Sequence, residues 1–549
     1  MKVDNLSPVK IQDLSKNGKE QSISDAKITT LLFLFIVFVS AYFRLPGIYN
    51  GLPYILNLDE SSNFLKAVSL FKDFLKFKSL EPSLYNYLNA IILFINSWTF
   101  DTNSILNILE LKSGSLYVSL RLLSVIFGVG SVVLVYFIGL VFGSIVGIIA
   151  SGLIAVSLLH IKFSQLFLPY SALVFFSLLN VYSLIKILNS KSSKMTLPFV
   201  FSFIGSSINY FGLLNYVPVF IVMAIKNDFS TLKKFWLVSL IFYLVINPQV
   251  ILTLPMLFKN GVTDYINGYF SYHGSSYLLY GFSSLLQGVG PIAWLSIFFL
   301  LFCKEDYNIN LLKILFSFPL IYLGVLGFFH VTSIGYGAVL VPYACLACGL
   351  GFNYLYKRKV DDNSKFMFIF LLLIAFWIPL KYTFKYKKIM SLSDTRVIAT
   401  EWIQENALGN LKIVWDKNSV QPHWYDAYNK IELEKLVSDP YLIVDKRKFL
   451  INPELLKRDR WLKLLKKKVD YIIVGNIEYE KFLREPGHKI EKKYYKGILK
   501  LKPALVFNPY LAENGKIARQ GLIIEELYSP FLSLWKRERP GPIIKIYEM

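Results

Sequence analysis

VSLRLLSVIFGVGSVVLVYFIGL, residues 118–140, carries a single charge, Arg121, in a run long enough to cross a bilayer as a helix. A hydrocarbon core of about 30 Å takes roughly twenty apolar helical residues. Outward from this stretch, comparable blocks lie at 28–45, 143–160, 166–187, 234–252, 286–303, 311–329, 335–355 and 365–381. The block at 197–225 is too long for one span. Gly205-Ser206-Ser207-Ile208-Asn209 interrupts it, which predicts two short spans. The block at 84–99 is short, contains Asn86, Asn89 and Asn96, and reads as interfacial or re-entrant. The expected fold is a polytopic α-helical membrane protein of about eleven transmembrane helices.

Composition agrees. Of 549 residues, 54% are hydrophobic and 17% charged, where a soluble chain would carry roughly a quarter charged. The net charge of +22, in so apolar a chain, points to cytoplasmic anchoring charge and anionic membrane lipids, with no nucleic-acid partner. The first block, Ile28 to Phe43, ends in Arg44-Leu45-Pro46-Gly47 without a small-residue cleavage site, and reads as a retained span. Cys303, Cys345 and Cys348 all sit in apolar stretches with no zinc-type spacing. Cys345 and Cys348 share a helix face, where small residues favour packing over redox or metal chemistry.

Charge orients the chain. The tail (Lys2, Lys10, Lys16, Lys19, Lys27) and the basic loops Lys191/Lys194, Lys226/Lys233/Lys234 and Lys357/Arg358/Lys359 fall on one side only if 84–99 does not cross and 197–225 crosses twice. The expected layout is a cytoplasmic tail at 1–27, a membrane domain at 28–382 and an extracytoplasmic domain at 383–549, in a plasma membrane. Loops 46–117 and 253–285 lie outside with that last domain. Pieces such as Lys412-Ile413-Val414-Trp415 and Tyr471-Ile472-Ile473-Val474 predict that it is a small α/β domain.

The sharpest chemical feature is Asp59-Glu60, in the outer loop that follows the first span. Phe64, Val68, Phe71 and Leu75 recur at helical spacing behind it, predicting an amphipathic helix on the membrane surface. Asp59 could simply cap that helix, with Glu60 in its first turn against the dipole. Alternatively one carboxylate takes a proton from an acceptor while its neighbour supports it. Glu81 supplies a second acid, and Tyr85 an aromatic face suited to a sugar or to ordinary interfacial anchoring. Lys162, with His160 and Gln165, lies at another outer junction, where it suits a lipid phosphate or snorkels to headgroups. Asn209 and Tyr210 sit at the broken block, and His330 and Tyr336 flank a further outer junction.

In this order the motifs resemble the GT-C superfamily of membrane glycosyltransferases, in its branch of protein O-mannosyltransferases and lipid A aminoarabinose transferases. The resemblance rests on Arg44-Leu45-Pro46, Asp59-Glu60, Pro82 to Leu88, Leu120-Arg121-Leu122-Leu123-Ser124, Phe142-Gly143 and Ser164 to Pro169. It continues through Asn209-Tyr210-Phe211-Gly212, Asn247-Pro248, Asp394-Thr395-Arg396 with Trp402-Ile403 and Asn406, and Arg539-Pro540-Gly541-Pro542 with Ile546-Tyr547. The Trp-Trp-Asp motif of oligosaccharyltransferases is absent. The resemblance implies a polyprenyl-phosphate sugar donor, a lipid, glycan or protein acceptor, and attack from the face opposite the phosphate with inversion. It places Asp59 as base and Glu60 or Glu81 positioning the acceptor. Lys162, Arg121 or Lys66 stand toward the phosphate, with Gln165, Asn209, Tyr210 and Tyr85 around the donor. No cofactor is required, although carboxylates and phosphate suit a divalent metal.

The chain departs from the family at Gln165, where many relatives have an Arg nearby. It departs again near Tyr170, where they have an Asp, and at Asn209, where they have a Lys. Those departures keep a silent glycan-lipid-binding relative in play. A flippase of lipid-linked sugars is the other alternative, but it favours internal repeats and midplane charge, and the sequence has no repeat.

Overall fold

In the computed structural model the described residues are 16–52, 56–72, 82, 84–99, 105–189, 195–248, 289–291, 297–298, 307–328, 335–358, 362–406, 413–416, 469–484, 489–511 and 534–549. Helices dominate. They run α1 (Lys16–Arg44), α2 (Leu58–Lys72), α3 (Leu84–Thr99), α4 (Ile105–Leu140), α5 (Ser144–Val156), α6 (Leu158–Ser164), α7 (Tyr170–Leu188) and α8 (Thr196–Ile208). A 3₁₀ turn (Tyr210–Asn215) leads into α9 (Tyr216–Lys226) and α10 (Phe229–Ile246). Then follow α11 (Ile309–Phe328), α12 (Val341–Lys357), α13 (Asp362–Met390) and α14 (Thr395–Asn406).

Among the described residues six helices are long and apolar enough to cross a membrane, or seven if the bent pair α5–α6 is one span. The predicted blocks at 28–45, 118–140, 166–187, 311–329, 335–355 and 365–381 each fall on one of the six. The block at 143–160 is the bent pair, turned by 63°. The block at 197–225 is interrupted at Asn209, as its polar break implies, and the block at 84–99 forms one short apolar helix, α3. The predicted span at 286–303 and the loop at 253–285 lie largely or wholly outside the described residues.

Small residues set the centre of the bundle. A Cβ at Gly139 would come within 2.6 Å of the Gly147 Cα, and one at Gly349 within 2.9 Å of the Val146 carbonyl. Glycines therefore let the backbones of α4, α5 and α12 touch, the usual basis of close helix pairing in lipid. Gly143, at φ 142°, makes the turn between α4 and α5 in a conformation that other residues rarely adopt. Cys345 and Cys348 are buried on α12 and form no disulfide with each other. The span containing α12 is 89% buried and the one containing α13 only 17%. Phe366, Leu373 and Trp377 of α13, like Leu31, Phe35 and Phe38 of α1, face outward, as lipid-facing residues do.

The last part of the chain builds a four-stranded sheet in the order β1-β2-β4-β3, from β1 (Ile413–Trp415), β2 (Tyr471–Gly475), β3 (Leu505–Phe507) and β4 (Ile544–Glu548). The two strands that the sequence predicts are neighbours, paired in parallel with Ile413 opposite Tyr471. Strand β2 is buried on both faces. Ile472 and Val474 pack with Tyr479 of α15 (Asn476–Arg484) and with Tyr494, Tyr495 and Ile498 of α16 (Lys489–Ile498). Ile473 packs on the other face with Ala399, Ile544 and Ile546. That alternation is the two-residue period of a strand sandwiched between helices.

Candidate active site

Helix α2 begins where Asn57 caps it: the Asp59 N–H donates to Asn57 Oδ1 at 2.9 Å. Asn57, and not Asp59, is thus the capping residue. Residues 59 and 60 then diverge. Asp59 is exposed, while Glu60 is fully buried. The apolar face of α2 is turned into the protein: Phe64, Ala67 and Val68 are buried, and the Phe64 ring stacks on Tyr117 of α4 at 4.8 Å.

Glu60 has both oxygens engaged. Oε1 accepts from Arg121 Nε at 2.8 Å and from the Phe167 N–H at 2.7 Å, and Oε2 accepts from Arg121 Nη2 at 2.7 Å. Arg121 extends the network through Nη1, which donates to the carbonyls of Ile48 and Asn50 at 2.8 and 2.9 Å. This bidentate pair, buried at both ends, is a strong and directional ion pair. It joins α2, α4, the chain after α1 and the α6–α7 connection. A sequence candidate for the donor phosphate, Arg121, is therefore committed to Glu60 and to main-chain carbonyls. Among the described residues no three His, Cys, Asp or Glu side chains gather as a metal site would need.

The segment from α6 to the start of α7 carries the next group of candidates. Lys162 is 2% exposed, with its ammonium 4.8 Å from the Phe163 ring centre. Phe163 meets Tyr170 edge-on at 5.3 Å, Tyr170 meets Tyr336 at 5.3 Å, and Tyr336 meets Phe211 at 5.1 Å. The turn holding Asn209 and Tyr210 is thereby linked to the Lys162 segment through aromatic contacts. Asn209 itself is used locally, accepting from the Phe211 N–H at 3.0 Å, and Tyr210 is exposed.

Three further candidates have structural placements. Gln165 donates from Nε2 to the Phe43 carbonyl at 2.7 Å and braces the end of α1. Tyr85 is buried, its hydroxyl 2.9 Å from Ser124 Oγ and its ring 5.7 Å from Phe167. Lys66 is half-buried on α2. Glu81 and His330 lie outside the described residues.

One contributor was not singled out chemically by sequence reasoning. Arg44 is fully buried and donates to Ser40, to the Ile154 and Ala155 carbonyls at the end of α5, and to His160 Nδ1 at 2.8 Å. Since a guanidinium only donates, His160 accepts at Nδ1 and carries its ring proton on Nε2. Arg44 thus satisfies carbonyls freed where α5 and α6 bend apart, which orients the segment bearing Lys162. An arginine closing an apolar span is the signal that could have found it.

The geometry can be set beside known proteins. The sequence profile of the dolichyl-phosphate-mannose-protein mannosyltransferase family matches residues 74–267. No curated protein matches the chain by sequence. Among solved structures, it is similar to the archaeal oligosaccharyltransferase AglB from Archaeoglobus fulgidus, in complex with an inhibitory peptide and a dolichol-phosphate. The identity is 11% and the TM-score 0.52, over 83% of this chain and 70% of that one. The chain has the GT-C fold. A weaker similarity is to ArnT from Cupriavidus metallidurans, bound to undecaprenyl phosphate, with 12% identity and a TM-score of 0.42 over 67% of this chain and 72% of that one. Within this fold, the Glu60–Arg121 pair holds α2 against the bundle.

Proposed function

We propose that the protein transfers a sugar from a polyprenyl-phosphate donor to an acceptor on the outer side of the membrane, with its N-terminus cytoplasmic and its C-terminal sheet extracytoplasmic. The observation that carries this reading is the contrast at residues 59 and 60: an exposed carboxylate beside one locked in a buried ion pair. A base must reach its substrate and be held still, and these neighbours divide the two requirements. The family profile and the GT-C fold support the same class of reaction.

In the proposed step, the acceptor hydroxyl or amine attacks the anomeric carbon from the face opposite the phosphate. The carbon–oxygen bond to the phosphate breaks, its electron pair leaves on the polyprenyl phosphate, and the configuration inverts. Asp59 takes the acceptor proton. Lys162 faces the charge that develops on the phosphate, and Glu60 with Arg121 fixes the helix that presents Asp59.

Membranes containing the wild-type chain, supplied with radiolabelled sugar on a panel of polyprenyl phosphates, should show transfer. Asp59→Asn at equal abundance should reduce it about 10²–10⁴-fold, the usual size of a general-base effect. Transfer that survives this substitution would remove Asp59 from the base role. Absence of transfer from every donor would count against the enzyme reading itself.

A further inference from the structure

Arg396 stands just beyond α13, where the membrane helices hand over to the C-terminal sheet, and it is 2% exposed. Its Nε and Nη2 bind the two oxygens of Asp394 at 2.9 and 2.8 Å. Its Nη1 donates at 2.8 Å to the carbonyl of Leu56, which is 340 residues away. Leu56 immediately precedes Asn57, the cap of α2, and stands three residues before Asp59. The stretch between α1 and α2 is therefore gripped twice, by Arg121 at Ile48 and Asn50 and by Arg396 at Leu56.

The same turn also grips the far end of the chain. The Thr395 N–H donates to the Pro540 carbonyl at 3.1 Å, and Thr395 Oγ1 donates to the Pro542 carbonyl at 2.7 Å. Between those prolines Gly541 has φ 106°, and a Cβ there would strike both Thr395 and Asp394. This close approach leads directly into β4. Three residues, Asp394 to Arg396, thus fasten the C-terminal sheet on one side and the lead into α2 on the other.

We infer that Arg396 is a positioning residue that ties the placement of the Asp59 carboxylate to the docking of the C-terminal sheet. Its consequence for catalysis rests on the transfer reading above; the mechanical coupling does not. With the clamp formed, the backbone entering α2 has fixed ends, and the exposed Asp59 side chain projects from a rigid base. With the guanidinium removed, the Leu56 carbonyl loses its donor and the lead into α2 is held only from the Arg121 side.

The test uses the full chain in lipid nanodiscs and amide hydrogen exchange, which reads local opening. In Arg396→Met, exchange over residues 56–64 should rise about tenfold, while α4 over 122–134 stays at the wild-type rate. Thr395→Val, which leaves the guanidinium intact but releases the Pro542 carbonyl, should speed exchange in both 543–548 and 56–64. Unchanged exchange over 56–64 in both variants overturns the proposal. If Arg396→Met yields no folded chain, Asp394→Asn, which frees the guanidinium from its carboxylate, takes its place under the same criterion.

In the transfer assay Arg396→Met should lower turnover about ten- to a hundredfold with the donor KM unchanged, and Arg396→Lys should recover part of it. A residue that is only a structural brace would lower the amount of folded protein and leave turnover per folded molecule alone. Should Asp59→Asn leave transfer intact, the base assignment fails while the exchange result still decides the coupling.

Discussion

Glu60–Arg121 and Asp394–Arg396 are nearly the same object: a fully buried carboxylate clasped at two points by a guanidinium, whose remaining nitrogen donates to the main chain between α1 and α2. They differ in span. The partners of the first are 61 residues apart and sit on separate helices, whereas those of the second are two residues apart on one turn. The local pair forms as soon as its turn forms, and pre-orients a guanidinium for a distant carbonyl. The long-range pair exists only once α2 and α4 have packed, so it reports on and reinforces the tertiary arrangement. Similar geometry is thus used once to aim a side chain and once to hold two elements together.

Breaking the long-range pair should have the larger effect. Arg121→Met strands a buried carboxylate and should destabilise the helical domain by about 3–5 kcal/mol, read as a fall in the denaturation midpoint in detergent. Adding Glu60→Leu should restore much of that loss, since two apolar residues leave no uncompensated charge. Loss confined to the C-terminal sheet would instead show that the pair does not bind the bundle together.

The sheet has its own partly buried acid, and there the comparison sharpens, because neutral groups donate to this one. Asp416, after β1, accepts from the Tyr495 hydroxyl at 2.9 Å and the Gly475 N–H at 3.0 Å. Its pKa is pushed up to about 8, first by loss of water and then by repulsion from Glu478, against the pull of those two donors. The folded sheet therefore keeps a proton that the unfolded chain gives up near pH 4. Stability should be greatest at low pH and fall as pH rises from about 4 to about 8. Asp416→Asn should flatten that slope in the exchange protection of residues 471–475. An unchanged slope would place the titration elsewhere.

The smallest effect is expected on α16, where Lys489, Lys492, Lys493, Lys496 and the following Lys500 line a surface groove of about 470 Å³. Tyr494, Tyr495 and Ile498 lie on the buried face of the same helix. Like charges four residues apart, such as Lys489 and Lys493, cost about 0.2–0.5 kcal/mol per pair. Lys493→Gln should stabilise the sheet by about that amount at low salt and by nothing at high salt.

Much of the architecture was legible. Apolar length marks the long helices, the Gly205–Asn209 break marks the interruption before the 3₁₀ turn, and two β-rich pieces mark adjacent strands of the sheet. These signals are local: hydropathy and backbone preference act over one turn or one strand. The periodicity of Phe64 and Val68 found the helix α2 but not its partner, because an apolar face looks the same whether it meets lipid or Tyr117.

The site was legible as residue types and not as roles. Sequence alone determined that Asp59 and Glu60 stand together at the head of a helix after the first span, with Arg121 in a long apolar helix and Lys162 at a junction. Only the tertiary structure decided that Glu60 turns inward to Arg121 and the Phe167 N–H, that Asp59 stays exposed, and that Arg396 reaches Leu56. Helix formation depends on neighbours a few positions away. The fate of a buried charge depends on which hydrogen-bond partners packing brings within about 3 Å, and those partners lie 61, 107 and 340 residues distant along the chain.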